Sequence, residues 1–255
     1  GVGGLTVARE IMRQIPKERI IYFGDTARVP YGSKSKETII RFSRQIIRFL
    51  QSKGVKAIVI ACNTASALAL ETVQPEFDIP ILGVVKAGAK EAAKVTKNGK
   101  IGVIATESTI ESQLYTKEIH SHKPNAQVLG KPCPLFVPLV EEGWRKDPVT
   151  EIVARRYLKE MQDEKVDTLI LGCTHYPLLR GVIGSIMGDQ VQLVNPAYET
   201  SLALKQLLTE KDLLNQGSVE EEFPYRFYVS DAAAVRHLHD AEVHSTGKFS
   251  PTMWR

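Results

Sequence analysis

Cysteine is scarce in this chain of 255 residues, which has only three, at Cys62, Cys133 and Cys173. Three thiols so far apart in sequence cannot form the disulfide framework of a small secreted protein. The odd count, and the lack of a leader-like stretch at the start of the sequence, are typical of a protein in a reducing compartment. We therefore expect a cytoplasmic protein with free thiols.

Long apolar runs and clusters of basic residues are also missing. The longest apolar segments fall well short of the ~20 residues that a membrane span needs. The 33 basic and 29 acidic residues are spread along the chain, and no basic run is interleaved with aromatic residues. These absences argue against a membrane or a nucleic acid as partner.

The sequence does contain a regular alternation of apolar strands and amphipathic helices. The clearest helix covers 36–54, where Ile39, Phe42, Ile46 and Leu50 share one face and Gly54 provides the stop. Helices are also predicted from about 65, at 150–162 and at about 198–214. Strands are predicted at 19–26, 56–62, 79–85, 166–173, 190–194 and 225–230, with a further strand and loop at 99–109. This alternation predicts parallel α/β sheets.

The chain opens with "GVGGLTV" (1–7), which reads as a glycine-rich loop leading into a helix. Such a loop normally follows a strand, so we expect a first strand before Gly1. The stretch lacks the last glycine of the dinucleotide-binding pattern because residue 6 is Thr6, which argues against a nucleotide site.

Two similar motifs end predicted strands on a thiol: "IACNTAS" (60–66) and "LGCTHYP" (171–177). Ligands of open α/β sheets bind at the carboxyl ends of the strands. The amino end of a following helix stabilises a thiolate and binds carboxylates, so we expect lowered thiol pKa values there. The matched positions of Cys62 and Cys173 indicate corresponding elements of two similar halves.

Several chemistries could use paired thiols. A zinc site needs about four ligands, and only His175 lies near Cys173 in sequence. A Cys–His hydrolase could use Cys173 and His175 but would leave Cys62 unexplained. Two acid/base thiols on opposite faces of one carbon explain both cysteines. Cys133 lies between prolines in "KPCPLF", and we interpret it as a packed structural residue.

Four motifs, "GVGGLTV", "GDTARVPYG", "ACNTAS" and "GCTHYP", in this order resemble the glutamate racemase family within the aspartate/glutamate racemase superfamily. The resemblance implies two similar open parallel-sheet α/β domains related by pseudo-twofold symmetry, with the active site in the cleft between them. We expect the first domain at 1–86 plus 196–255 and the second at 87–195. The resemblance further implies a cytoplasmic homodimer without cofactor or metal that supplies D-glutamate for peptidoglycan.

The resemblance also implies roles for individual residues. The catalytic set matches Cys62, Cys173, His175 and Glu141. The substrate-binding set matches Tyr31, Gly32, Asn63, Thr64, Thr106, Thr109, Thr174 and His175. By the same analogy Cys62 acts on D-glutamate and Cys173 on L-glutamate.

One part of the family pattern lies outside this sequence, because the family has Asp-Ser directly before Gly-Val-Gly-Gly. If that pair were truly absent from the protein, a glutamate-binding module without catalysis would be the alternative. A racemase of another amino acid, such as aspartate, is the other alternative.

Overall fold

Helices and parallel strands alternate through the computed structural model, which describes residues 2–217 and 224–231. The helices are α1 (Val2–Gln14), α2 (Lys36–Gln51), α3 (Asn63–Leu68), α4 (Leu70–Val73), α5 (Val84–Val95), α6 (Glu107–Glu111), α7 (Leu114–His122), α8 (Phe136–Glu141), α9 (Pro148–Asp163), α10 (Arg180–Met187) and α11 (Pro196–Glu210). The strands are β1 (Ile20–Gly24), β2 (Ile58–Ile60), β3 (Ile81–Gly83), β4 (Lys100–Ala105), β5 (Gln127–Pro132), β6 (Thr168–Gly172), β7 (Gln192–Val194) and β8 (Tyr225–Val229).

All the strand pairs of the described residues are parallel, which confirms the predicted α/β class. One sheet has the order β5-β4-β6-β7, and two further pairs are β1-β8 and β2-β3. In the four-stranded sheet the strand order reverses between β4 and β6. The crevice at the carboxyl ends of such a pair is the usual ligand site of an open α/β sheet.

Helix α2 confirms the helix predicted from its apolar face. The Ser35 side chain caps its amino end by accepting from the Thr38 N–H. Ile39, Ile47 and Leu50 are buried on one side of the helix. Gly54, shortly after the helix, has a φ of 71°, a left-handed conformation that suits glycine.

The glycine-rich start is a helix rather than the predicted loop, because α1 already begins at Val2. Both Gly3 and Gly4 lie inside this helix, because neighbouring side chains leave no room for a Cβ at either position. A Cβ at Gly3 would lie 2.5 Å from Thr174 Oγ1, and one at Gly4 would lie 2.5 Å from the Tyr22 hydroxyl. Tertiary contact therefore overrides the local preference of glycine for loops. The strand expected before Gly1 concerns residues outside this sequence and stays a prediction.

Other boundaries differ by a few residues. Strand β2 is three residues long, against the seven predicted at 56–62, and helix α3 begins at Asn63 rather than near 65. Strand β5 and helix α7 were not predicted from the sequence.

Helix α11 packs against elements from the start of the chain. Its Leu204 and Leu208 share a buried cluster with Val7 and Ile11 of α1 and with Val84 of α5. This packing agrees with a first half that includes residues after 196, although the proposed boundaries themselves stay a prediction. Residues 218–223 and 232–255 of that half lie outside the described residues.

No helix among residues 2–217 and 224–231 is long and apolar enough to cross a membrane.

Candidate active site

The first thiol, Cys62, occupies the N-cap position of α3. Its backbone is extended, and its Sγ accepts from the Ala65 N–H at 3.5 Å. Burial raises the pKa of the Cys62 thiol above its ordinary value, while the N–H groups of Ala65 and Thr64 oppose that rise. The residue is only partly buried, so a ligand can reach it.

The second thiol, Cys173, directly follows β6 and is 7% exposed. Burial raises its pKa to about 12, the backbone N–H of His175 acts against this rise, and the charges of Cys62 and Glu141 add to it. The lowered thiol pKa values expected from the sequence are therefore wrong, because desolvation outweighs the backbone N–H groups at both thiols.

His175 joins the second thiol to an acidic residue. Its Nε2 lies 2.6 Å from Glu141 Oε1, at the end of α8, and its Nδ1 lies 3.7 Å from Cys173 Sγ. Although burial alone would raise the pKa of Glu141, the hydrogen bond and charge of His175 hold it below its usual value. The pair thus gives Cys173 a nearby base whose imidazolium form Glu141 can stabilise.

Three threonines form a hydroxyl cluster beside the first thiol. Thr64 Oγ1 lies 2.9 Å from Thr106 Oγ1, which in turn lies 2.9 Å from Thr109 Oγ1. Thr64 follows Cys62, whereas Thr106 follows β4 and Thr109 lies in α6. The cluster therefore brings the end of β4 to the residue that follows the first thiol. The substrate-binding role expected of these three threonines stays a prediction.

Asn63 carries an unpaired donor in this site. Its side chain is 2% exposed, and Oδ1 accepts from the Tyr115 hydroxyl at 2.6 Å. Nδ2 is buried and has no hydrogen-bond partner within the described part of the chain. A buried unpaired donor costs about 1–3 kcal/mol, so its presence next to Cys62 points to a ligand acceptor.

Thr174, between the second thiol and His175, is 6% exposed and is held from the other half of the chain. Its carbonyl oxygen accepts from Thr6 Oγ1 of α1 at 2.8 Å. A Cβ at Gly3 would lie 2.6 Å from His175 Nδ1, so the start of α1 packs directly on this loop.

Gly32 also meets the site, whereas the Tyr31 hydroxyl is engaged elsewhere. The carbonyl oxygen of Gly32 accepts from Ser108 Oγ at 2.6 Å, and a Cβ on it would lie 3.2 Å from Thr106. The Tyr31 hydroxyl donates to Asp25, which also pairs with Arg28 at 2.8 Å. The ring of Tyr31 still packs in the apolar cluster that includes Cys62.

Several residues near the thiols escaped the sequence reasoning. Burial, and then the charges of Glu141 and Cys62, raise the pKa of Tyr22. Asp25 follows β1 much as each cysteine follows its strand. This position at the end of a strand is a sequence signal that could have identified Asp25 as a candidate site residue. Tyr115 had no local signal, because its partner Asn63 lies 52 residues away.

Cys133 has the structural role expected of it. It is fully buried, and its carbonyl oxygen accepts from the Tyr176 hydroxyl at 2.8 Å. All three cysteines are free thiols. Within the described residues, no group of three or more His, Cys, Asp or Glu side chains is placed to hold a metal ion.

Comparisons with known proteins agree with this geometry. A model of the Asp/Glu/Hydantoin racemase family matches residues 4–200. The glutamate racemase of Geobacter metallireducens is 50% identical over 234 residues, which cover 92% of this chain and 86% of that protein. The glutamate racemase of Chlorobaculum tepidum is 49% identical over 232 residues, covering 91% and 85% of the two chains.

Solved structures give the same result. Glutamate racemase isoform RacE1 from Bacillus anthracis superposes with a TM-score of 0.89 at 40% identity, covering 94% of this chain and 90% of that one. Glutamate racemase from Francisella tularensis, solved in complex with D-glutamate, has a TM-score of 0.84 at 42% identity with the same coverage. The matched family model, the identity over nine-tenths of the chain and the shared fold show that this chain belongs to the glutamate racemase family, within the Asp/Glu/hydantoin racemases.

Proposed function

We propose that this protein interconverts L-glutamate and D-glutamate by a two-base mechanism in which Cys62 and Cys173 exchange the Cα proton. The observation that carries the proposal is the position of two thiols, each after a parallel strand, with a buried amide donor next to one of them that has no partner among the described residues. For a substrate carbon to fit between them, the two sulfur atoms should lie about 6–9 Å apart in the complex.

The chemistry balances without an added reagent. One thiolate takes the proton from Cα, and the electron pair of the broken C–H bond stays on the carbon and its carboxylate. The other thiol then gives its proton to the opposite face and becomes the thiolate. The product has inverted, and the enzyme differs only in which sulfur holds the proton.

The surroundings of each thiol suit this exchange. His175 can take the proton of Cys173, with Glu141 stabilising the imidazolium, so Glu141 acts as a positioning residue. The N–H groups of Thr64 and Ala65 face the sulfur of Cys62 and stabilise its thiolate. A high thiol pKa also makes each thiolate a stronger base once it has formed.

The substrate carboxylates need donors, and the site offers them without a paired cation. Asn63 Nδ2 supplies an unpaired N–H, and the hydroxyls of Thr64, Thr106 and Thr109 can reorient toward a carboxylate oxygen. Thr174 and Gly32 line the same region through their contacts with Thr6 and Ser108. We assign substrate binding to these residues and to the ring of Tyr31.

The cellular setting is part of the same proposal. By analogy with the family, the enzyme works as a cytoplasmic homodimer, needs no cofactor, and supplies D-glutamate for peptidoglycan. The glutamate racemases to which it is similar support glutamate over aspartate as the substrate.

Turnover of glutamate and aspartate should be measured side by side after dialysis against EDTA. Faster turnover of aspartate, or a need for added zinc, would contradict the substrate or the cofactor assignment.

A thiol hydrolase is the second candidate, because Cys173, His175 and Glu141 stand in the order of a catalytic triad. Hydrolysis would leave Cys62 without a role. A binding module would hold glutamate without exchanging its α-proton. Replacing each of the two cysteines therefore distinguishes a racemase, a hydrolase and a binding module.

The test replaces each thiol by a hydroxyl. In Cys62→Ser and Cys173→Ser, racemisation should fall at least about 1,000-fold, since a serine hydroxyl is too weak an acid to serve at neutral pH. Each variant should still exchange the Cα proton of one enantiomer with D₂O, and the two variants should prefer opposite enantiomers. Proton NMR of each enantiomer in D₂O measures both quantities.

Cys133→Ser serves as the matched control, because Cys133 contacts Tyr176 through its backbone carbonyl, which serine keeps. This variant should racemise at a rate close to that of the unchanged protein. Near-normal racemisation by Cys62→Ser would mean that the Cys62 thiol takes no part in catalysis, as expected of a hydrolase that uses Cys173. Glutamate binding without proton exchange in the unchanged protein would identify a binding module.

A further inference from the structure

We propose that Tyr115 is a positioning residue that fixes the Asn63 amide for the substrate and holds the two thiol loops in register. This inference rests on the proposed function, because it concerns how the same site presents a donor to a glutamate carboxylate. No motif contains Tyr115, which lies in α7 and is 3% exposed.

The contact between Tyr115 and Asn63 has one possible direction. Their oxygen atoms lie 2.6 Å apart, and an amide oxygen can only accept, so the phenol must donate. In the structure the amide takes the orientation in which Oδ1 faces this hydroxyl. With Oδ1 held by Tyr115, Nδ2 is left as a buried donor that has no partner among the described residues.

The same ring touches the second thiol loop. A Cβ added at Gly172 would lie 3.2 Å from Cε2 of Tyr115, so the ring packs directly against the residue that precedes Cys173. Burial and the charge of Cys173 both raise the pKa of Tyr115, so its hydroxyl remains a donor at every working pH. One side chain thus contacts the residue after the first thiol and the residue before the second.

Loss of the hydroxyl has a specific consequence for binding. Without it, Asn63 Oδ1 is buried and unpaired, and no hydrogen bond keeps the amide from turning over or leaving its position. A turned amide presents oxygen to the substrate carboxylate, which repels it. The defect therefore appears in substrate affinity, in the same degree for both enantiomers, because each carries the same carboxylates.

The experiment compares Tyr115→Phe with a matched control. Tyr115→Phe keeps the ring against Gly172 and removes only the hydroxyl. We expect KM to rise about tenfold for both L- and D-glutamate, with a smaller fall in kcat. Tyr157→Phe also removes one hydroxyl, but that hydroxyl accepts from the Leu135 N–H at 3.3 Å instead of donating to Asn63, so this variant should leave KM unchanged.

A double-variant comparison identifies the route of the effect. In the Asn63→Ala background, Tyr115→Phe should raise KM no further, because the amide that it positions is gone. An equal rise in both backgrounds would show that Tyr115 acts elsewhere, and an unchanged KM in Tyr115→Phe alone would overturn the proposal.

Asn63→Asp covers the case in which Tyr115→Phe folds poorly. It keeps an acceptor for Tyr115 but loses the N–H donor, so it should bind glutamate at least tenfold more weakly; normal binding would overturn the proposal. The two proposals fail in different ways. An unchanged protein that does not racemise glutamate refutes the proposed function, whereas an active protein that is indifferent to Tyr115→Phe refutes only the positioning role.

Discussion

At the scale of the residue, two opposing effects set the pKa values of Cys62 and Cys173. Removal from water disfavours the thiolate, and backbone N–H groups at the strand ends favour it. Burial is the larger effect at both positions. Sequence reasoning identified the N–H groups, which are local, but could not weigh burial, which depends on residues far away in the chain.

The raised thiol pKa values predict slow, pH-dependent alkylation. Iodoacetamide reacts with the thiolate, so a raised pKa lowers the reactive fraction at neutral pH and shifts the rise in rate to higher pH. The rate at Cys173, whose pKa burial raises to about 12, should still be increasing at pH 9.5. The rate at Cys62 should level off at a higher pH than that of a free thiol, whose pKa is ~8.5.

Mass mapping of the alkylated peptides, with glutathione as the reference thiol, measures each site separately. Cys133 should stay unmodified in the folded protein because it is fully buried. A rate at either site of the pair that levels off below about pH 8 would contradict the raised pKa.

At the scale of the element, the sequence predicted those helices and strands that are determined by local capping and apolar patterning. Helix α2 could be predicted from its Ser35 cap and apolar face, and β6 from a continuous apolar run. The start of α1 could not, since Gly3 and Gly4 are required by contacts with Thr174 and Tyr22 rather than by a loop. The position of both thiols at strand ends follows from motifs, whereas the contacts within the threonine cluster and between Tyr115 and Asn63 depend on tertiary packing.

Gly172 shows how closely β6 packs against β4. A Cβ there would lie 2.7 Å from the backbone oxygen of Ile104, which cannot move without disturbing the ladder between the two strands. Gly172→Ala should therefore lower the free energy of unfolding by about 1–3 kcal/mol. It should also reduce kcat, because Cys173 is the next residue and shifts with the strand.

The control for this substitution is Gly181→Ala in α10, where an added Cβ meets nothing within 4 Å. Alanine is the better helix former, so this variant should be as stable as the unchanged protein or more stable by up to about 1 kcal/mol. Urea unfolding and steady-state kinetics give both readouts. Equal stability of the two variants would mean that the strands separate easily at this point.

At the scale of the whole molecule, contacts distant in sequence assemble the site. Hydrogen bonds join Thr64 to Thr106, Asn63 to Tyr115 and Thr6 to Thr174. Residues from the start and the middle of the chain therefore form the two sides of one site. The site therefore exists only when both parts of the chain are folded and in contact. A ligand that contacts both sides stabilises the complete fold by mass action.

This linkage predicts that glutamate raises the melting temperature of the full-length protein. At 100 times the dissociation constant, a bound ligand adds about 2.7 kcal/mol of stability. At roughly 2–4 °C per kcal/mol for a chain of this size, Tm should rise by about 5–10 °C with either enantiomer. Differential scanning calorimetry should compare sodium glutamate with sodium chloride at equal ionic strength, since sodium chloride cannot contact both sides of the site at once.

The control variant is Asn63→Ala, in which the rise in Tm should shrink by at least half, because the buried donor proposed to bind a substrate carboxylate has been removed. A shift of equal size in both proteins would place glutamate somewhere other than beside Cys62.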